Sequence, residues 1–169
     1  YCLQSQATDL EIEEAALLQR MQEILDVMRG AIDYGLTGIR STGGLAGGDG
    51  LKLKHWHKTH STGNVVLGPL TAKAAAYALA ANEANAAMGR ICAAPTAGSS
   101  GVLPAVLFAC SEERALPPAD LRIALVVAGA IGMVIASRAS LSGAEGGCQA
   151  ECGSAAAMAA GAVVDLLGG

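Results

Sequence analysis

Residues 119–138 read ADLRIALVVAGAIGMVIASR, and Pro117-Pro118 stand directly before them. From Ile123 to Ala136 no side chain carries a polar group, a run of fourteen residues between Arg122 and Ser137-Arg138. The run exceeds the roughly 4–8 residues of a buried strand. It falls short of the roughly 20 needed to span a bilayer. A helix buried in a protein core is the reading that remains, and proline suits its first turn, where an amide hydrogen has no intrahelical partner.

The same pattern extends in both directions. CQAECGSAAAMAAGAVVDLL (148–167) predicts a last helix, equally apolar, and the two together are expected at the centre, buried on all sides. VLPAVLFACSEER (102–114) predicts a third helix with Pro104 near its start. A second runs from Pro69 through TAKAAAYALAANEANAAM to about Gly89. Thr8-Asp9-Leu10-Glu11 has the form of a capping box opening a first helix. Leu17, Met21, Ile24 and Met28 form its apolar stripe and Gly30 its stop. No period-two alternation or Asn-Gly hairpin appears, so the expected fold is all-α: a single helical domain with central apolar helices.

Composition agrees. Of 169 residues 52% are hydrophobic but only 3% aromatic, and 22 are glycine, which favours helices packed closely through small side chains. A net charge of −4 gives no electrostatic case for nucleic acid. No membrane span and no signal peptide are expected. Five cysteines, Cys2, Cys92, Cys110, Cys148 and Cys152, are an odd number in a chain able to build its own core. Free thiols or metal ligands in a reducing, cytoplasmic setting are therefore expected. The chain starts at Tyr1 and ends at Gly168-Gly169 after an apolar helix, which reads as an excerpt.

Three glycine- and hydroxyl-rich segments separate the helices: 41–50, 93–101 and 140–147. Such loops offer backbone amides and small hydroxyls without bulk, and helix N-termini beside them favour a carboxylate. A small anionic substrate is the chemical expectation, with Thr42, Thr96 and Cys148 around one concavity. The alternative is that Gly and Ser simply make turns. Cys148 and Cys152, at i and i+4, share a helix face and can hold a metal or sit as small buried hydrophobes. Ser142-Gly143-Ala144-Glu145 fits a capping box, but the following glycines leave open a helix start nearer Cys148. His55, His57 and His60 lie among Lys52, Lys54 and Lys58, where like charge disfavours a cation, and a solvated surface is expected. Ser61-Thr62-Gly63-Asn64 resembles a turn of some pyridoxal-phosphate lyases, yet none of Lys52, Lys54, Lys58 and Lys73 stands in an obvious Schiff-base setting.

Three strings in this order, STGGLAGGDGLKL (41–53), NEANAAMGRICAAPTAGSSGVLPAVLFA (82–109) and SLSGAEGGCQAECGSAAAMAAGAVVDLLGG (140–169), resemble the α chain of the iron–sulfur-dependent L-serine dehydratases. The resemblance implies that residues 1–169 are its catalytic α domain, incomplete at the C-terminus. It further implies a [4Fe-4S] cluster held by three cysteines, with one iron acting as Lewis acid on L-serine, and pyruvate and ammonia as products. A β chain or β domain completes the site, and a homo-oligomer is expected. One cluster ligand carries over, Cys148. The other two belong to a Cys-Asp-Pro and a Pro-Cys string placed after the Gly-Gly end, so no intact cluster is expected from these residues alone. Cys152 stands where relatives need no cysteine and is expected to be a packed neighbour. Substrate contacts are expected from Ser41, Thr42, Gly43, Thr96, Gly98, Ser99, Ser142 and Gly143, and the catalytic base is unassigned. A non-catalytic helical scaffold or, more remotely, a pyridoxal-phosphate lyase are the alternatives.

Overall fold

The computed structural model describes residues 1–60 and 68–169, without the side chain of His60. The Ser61–Asn64 turn therefore lies outside the described residues. Seven helices follow one another within them: α1 (Cys2–Asp9), α2 (Glu14–Gly35), α3 (Asp49–His60), α4 (Gly68–Ala86), α5 (Val102–Arg114), α6 (Pro118–Arg138) and α7 (Gly143–Leu166). Extended backbone pairs at one isolated antiparallel bridge, Arg40 with Gly47, so the fold of the described residues is all-α.

The first forty residues differ from the sequence reading. The Thr8–Glu11 box does not open a helix; it closes one. α1 ends at Asp9, the Thr8 hydroxyl donates back to the Gln4 carbonyl (2.8 Å), and Glu11 takes a positive φ of 54°. The competing local bond wins over the cap. α2 then starts at Glu14 and passes through Gly30 to Gly35. Its expected stripe does face the core: Leu17 and Met28 are buried, and Met21 and Ile24 pack against the cluster that contains Met28.

Residues 51–60, expected as polar surface, form most of α3. What starts this helix is remote in sequence. Glu83 of α4, only 6% exposed, accepts the amides of Asp49 (2.7 Å) and Gly50 (3.2 Å) through Oε1. A carboxylate at a helix N-terminus satisfies orphan amides and opposes the dipole.

α4 is the element the others approach. A β-carbon at Gly35 would overlap the Ala80 carbonyl. One at Gly50 would stand 2.8 Å from the Ala80 nitrogen, and one at Gly101 2.5 Å from the Ala78 carbonyl oxygen. Ala76 and Ala80 lie on one face of α4, whereas Ala78 and Asn82 lie about 200° further round. So α2 and α3 press on one side of α4, and the turn into α5 on the other.

A polar knot ties α2, α4 and α5. The Arg29 guanidinium stacks 4.0 Å from the Phe108 ring centroid and pairs with Glu112 (2.6 Å). The Tyr77 hydroxyl donates to the other Glu112 oxygen (2.7 Å), and Lys73 reaches Glu113 (3.2 Å). Burial and then the Glu112 carboxylate push the Tyr77 phenol up to about 12. Burial also pushes Glu112 up, but the Tyr77 hydroxyl, Arg29 and Lys73 outweigh it and hold its carboxyl below the ordinary range.

α6 and α7 pack along each other, and α6 also meets α1 and α2. They are not buried on all sides as expected: Met133, Val134, Val164 and Leu167 are each more than half exposed. Apolar composition permits burial on every side but does not supply the neighbours. α6 is also longer than its uninterrupted apolar run. At 21 residues, with a mean hydropathy of 2.0 over its most apolar 18, it meets the length and composition for crossing a bilayer, and a third of that stretch is buried within the chain. The apolar run begins only after Arg122, whereas the helix itself starts at Pro118.

Two outcomes follow from these contacts. Gly35→Ala is expected to cost about 3 kcal/mol or more, the upper end of overpacking penalties. Gly30→Ala, whose β-carbon meets nothing within 4 Å in the same helix, is expected to stabilise by about 0.5–1 kcal/mol. Paired denaturant titrations check both. Because the native Tyr77 phenol is raised to about 12, its contribution to stability is full below the unfolded tyrosine value near 10 and is lost as pH rises through the folded value. Tyr77→Phe should therefore flatten the fall in stability over that alkaline window, measured by denaturant midpoints against pH.

Candidate functional site

The start of α7 contains both helix beginnings that the sequence allows. The Ser142 hydroxyl accepts the Ala144 amide (3.1 Å), a true N-cap, while the Glu145 side chain makes no reciprocal bond among the described residues. One turn later Gly147 takes φ 70° and ψ −174°, and the helix resumes in a new direction at Cys148. Only glycine occupies that backbone region at no steric cost. Cys148 and Cys152 are both exposed, one turn apart on the same face, and all five cysteines are free. Cys152 is thus not the packed neighbour expected, because the face of α7 that carries it has no element over it among the described residues.

In the second loop Ser99 faces inward. It is 1% exposed, with its hydroxyl 3.0 Å from Thr96 Oγ1 and 3.3 Å from the Ala94 carbonyl oxygen. Asn85 of α4 donates to the Ala97 carbonyl (3.1 Å). Thr96 is half-buried and Gly98 exposed. The first loop closes on itself in a similar way. Ser41 exchanges backbone and side-chain bonds with Ala46, its amide donating to the Ala46 carbonyl (2.8 Å) and its Oγ accepting the Ala46 amide (3.1 Å). Thr42 and Gly43 project outward.

The second and third loops meet at a residue that sequence reasoning passed over. The Glu151 carboxylate lies against Gly98 and Gly143: β-carbons there would stand 3.3 Å and 2.7 Å from its Oε2. The capping pattern of this string points instead to Glu145, six residues earlier. Nothing in spacing alone separates the two, since which acid meets the loops depends on the kink at Gly147. Among the described residues, no such contact joins the first loop to the other two. It enters α3 on the Ala76/Ala80 face of α4, while the second leaves toward α5 from the Ala78/Asn82 face. An open groove of about 730 Å³ lies elsewhere, lined by Glu23, Asp26, Gly30, Tyr34 and Arg90 among others, and contains none of the expected site residues.

No three His, Cys, Asp or Glu side chains converge as a metal site among the described residues. The donor set fits one corner of a cluster, an exposed thiol at a helix start, and not a whole cluster. Of the four lysines, Lys73 is paired to Glu112 and Glu113, and Lys52 to Asp49.

The fold and its turns define a helical domain that presents small hydroxyls, amides and an exposed thiol where helices begin. The chain belongs to the serine dehydratase alpha chain family, whose pattern it matches over residues 2–169. It is 46% identical over 166 residues to the probable L-serine dehydratase, alpha chain, of Bacillus subtilis (strain 168), covering 96% of this chain and 54% of that protein. With the L-serine dehydratase, alpha chain, of Peptoniphilus asaccharolyticus it shares 39% over 172 residues, 99% of this chain and 56% of the relative. With the L-serine dehydratase of Streptomyces coelicolor (strain ATCC BAA-471 / A3(2) / M145) it shares 41% over 167 residues, 93% of this chain and 34% of the relative. The chain thus spans about half the length of the alpha-chain relatives, and a third of the last.

Ser99→Ala is expected to destabilise by about 1–3 kcal/mol, since it leaves buried loop groups without their partner. Thr42→Ala, at an exposed position, should stay within about 0.5 kcal/mol. Thermal unfolding of both variants distinguishes a loop-shaping hydroxyl from an outward one.

Proposed function

We propose that this chain is the greater part of the catalytic α segment of an L-serine dehydratase, a carbon–nitrogen lyase that converts L-serine to pyruvate and ammonia in the cytoplasm. The observation that carries the reading is the family match across residues 2–169, which includes all three loops and Cys148. The geometry supports it: Cys148 stands exposed at the resumed helix start, beside the loop that Glu151 joins to the Thr96–Ser99 turn.

In this reading Cys148 donates one thiolate to a [4Fe-4S] cluster whose other ligands lie outside residues 1–169. When bound, the cluster supplies a Lewis acid to the substrate hydroxyl. This chain's own residues receive the rest of L-serine. Thr96, Gly98 and Gly143, in the two adjoining loops, offer a hydroxyl and backbone amides to its carboxylate, with Ser99 and Ser142 holding those turns in shape, while Ser41 shapes the separate first loop that carries Thr42 and Gly43. A β chain or β domain covers the site, and the whole assembles as a homo-oligomer.

The test uses the full-length protein with its β portion, reconstituted without oxygen. Serine-dependent pyruvate formation should accompany the broad visible absorption of the cluster. Cys148→Ser should abolish both together, and Cys152→Ser should largely preserve both. Full activity in Cys148→Ser, or activity in metal-free protein, would show the reading to be wrong.

A further inference from the structure

The carboxylate of Glu151 stands beside the loops proposed to receive L-serine. It lies three residues beyond Cys148 on α7, about 300° round the helix and so on a neighbouring part of the same surface. Its two oxygens stand 3.3 and 3.4 Å from where a β-carbon of residue 98 would be, and Oε2 stands 2.7 Å from that of residue 143. It therefore occupies space that glycine leaves free in both loops. No lysine, arginine, histidine or hydroxyl pairs with it among the described residues. It is half-buried, so its negative charge is neither neutralised by the protein nor fully in solvent.

An unpaired carboxylate between loops of hydroxyls and amides would repel a simple anion at close range. The arrangement complements a zwitterion. Hydroxyls and amides suit a carboxylate, and the acid suits a cation joined to it through one carbon. We propose that Glu151 binds the α-ammonium group of the amino-acid substrate and so selects amino acids over the corresponding hydroxy acids. The assignment rests on the loops forming the substrate site as proposed above. It gives L-serine three distinct handles, with the ammonium on Glu151, the carboxylate on the loops and the hydroxyl directed to the metal side.

The discriminating ligand is glycerate, which keeps the carboxylate and the β-hydroxyl of serine and replaces the ammonium by a hydroxyl. At the full-length, cluster-loaded enzyme near neutral pH, affinity for L-serine is read as KM from initial pyruvate rates and that for glycerate as its inhibition constant against L-serine, because L-serine is consumed during a titration; titration calorimetry serves for both ligands where no turnover occurs. Glu151→Gln should weaken L-serine roughly 10- to 100-fold, the worth of a charge-assisted hydrogen bond. Glycerate should bind Glu151→Gln as well as, or better than, the wild type, because the repelling charge is gone. Glu151→Asp, which keeps the charge and shortens its reach, should lie between. Equal weakening of both ligands would mark a merely structural role and overturn the proposal. So would unchanged L-serine binding in Glu151→Gln, or wild-type enzyme that binds glycerate as tightly as L-serine. If L-serine binding depends on Glu151 in this way but no pyruvate forms, the ammonium assignment stands and the dehydratase reading falls.

Discussion

Gly35, Gly50 and Gly101 come so near the backbone of α4 that no β-carbon fits without displacing it. On α4 itself the facing residues are small: Ala76, Ala80, Ala78. Backbone-to-backbone approach of this kind gives dense packing with little side-chain area, which is how a chain with 3% aromatics makes a core. It also fixes where α2 ends, where α3 begins and where the chain turns into α5. The loops on either side of α4 inherit their positions from these three contacts. Glu83 supplies the polar counterpart, joining α4 to the first amides of α3.

The helices with strong internal signals were legible. The second, third, fourth and fifth predicted helices correspond to α4, α5, α6 and α7, because proline starts, apolar runs and glycine stops are all local. α3 was not legible. Its residues 51–60 are polar and basic, and its cap is Glu83, thirty-odd positions away, so no window of sequence contains both halves of the interaction. The Thr8 box misled for a related reason. The same hydroxyl that can cap the next helix can also bond the carbonyl four residues back, and the choice depends on α1, whose own start carries no capping side chain.

Of the three loops expected around one concavity, the structure brings the second and third together at Glu151 and leaves the first apart. Hydroxyl- and glycine-rich loops do stand beside helix starts, and two of them adjoin. Which hydroxyls turn inward was not readable: Ser99 and Thr42 look alike in sequence, yet one is buried in the loop's own bonds and the other is exposed. Cys152 is expected to be packed because the resemblance asks for no cysteine there, a ground that says nothing about which side of α7 is covered, and the residue is exposed. Glu151 had no signal of its own. Its meaning arises from the bend at Gly147, which a capping pattern centred on Ser142 and Glu145 does not contain.

The two glycines around Glu151 have an entropic consequence. A free glutamate side chain has several rotatable bonds, and ordering such a chain costs up to about 1.5–2 kcal/mol. Here the walls that narrow its range are main chain, at Gly98 and Gly143, not the mobile ends of other side chains. That loss of freedom is incurred when the domain folds. A ligand arriving at the carboxylate then has less disorder left to remove, so more of its intrinsic attraction is expressed as affinity.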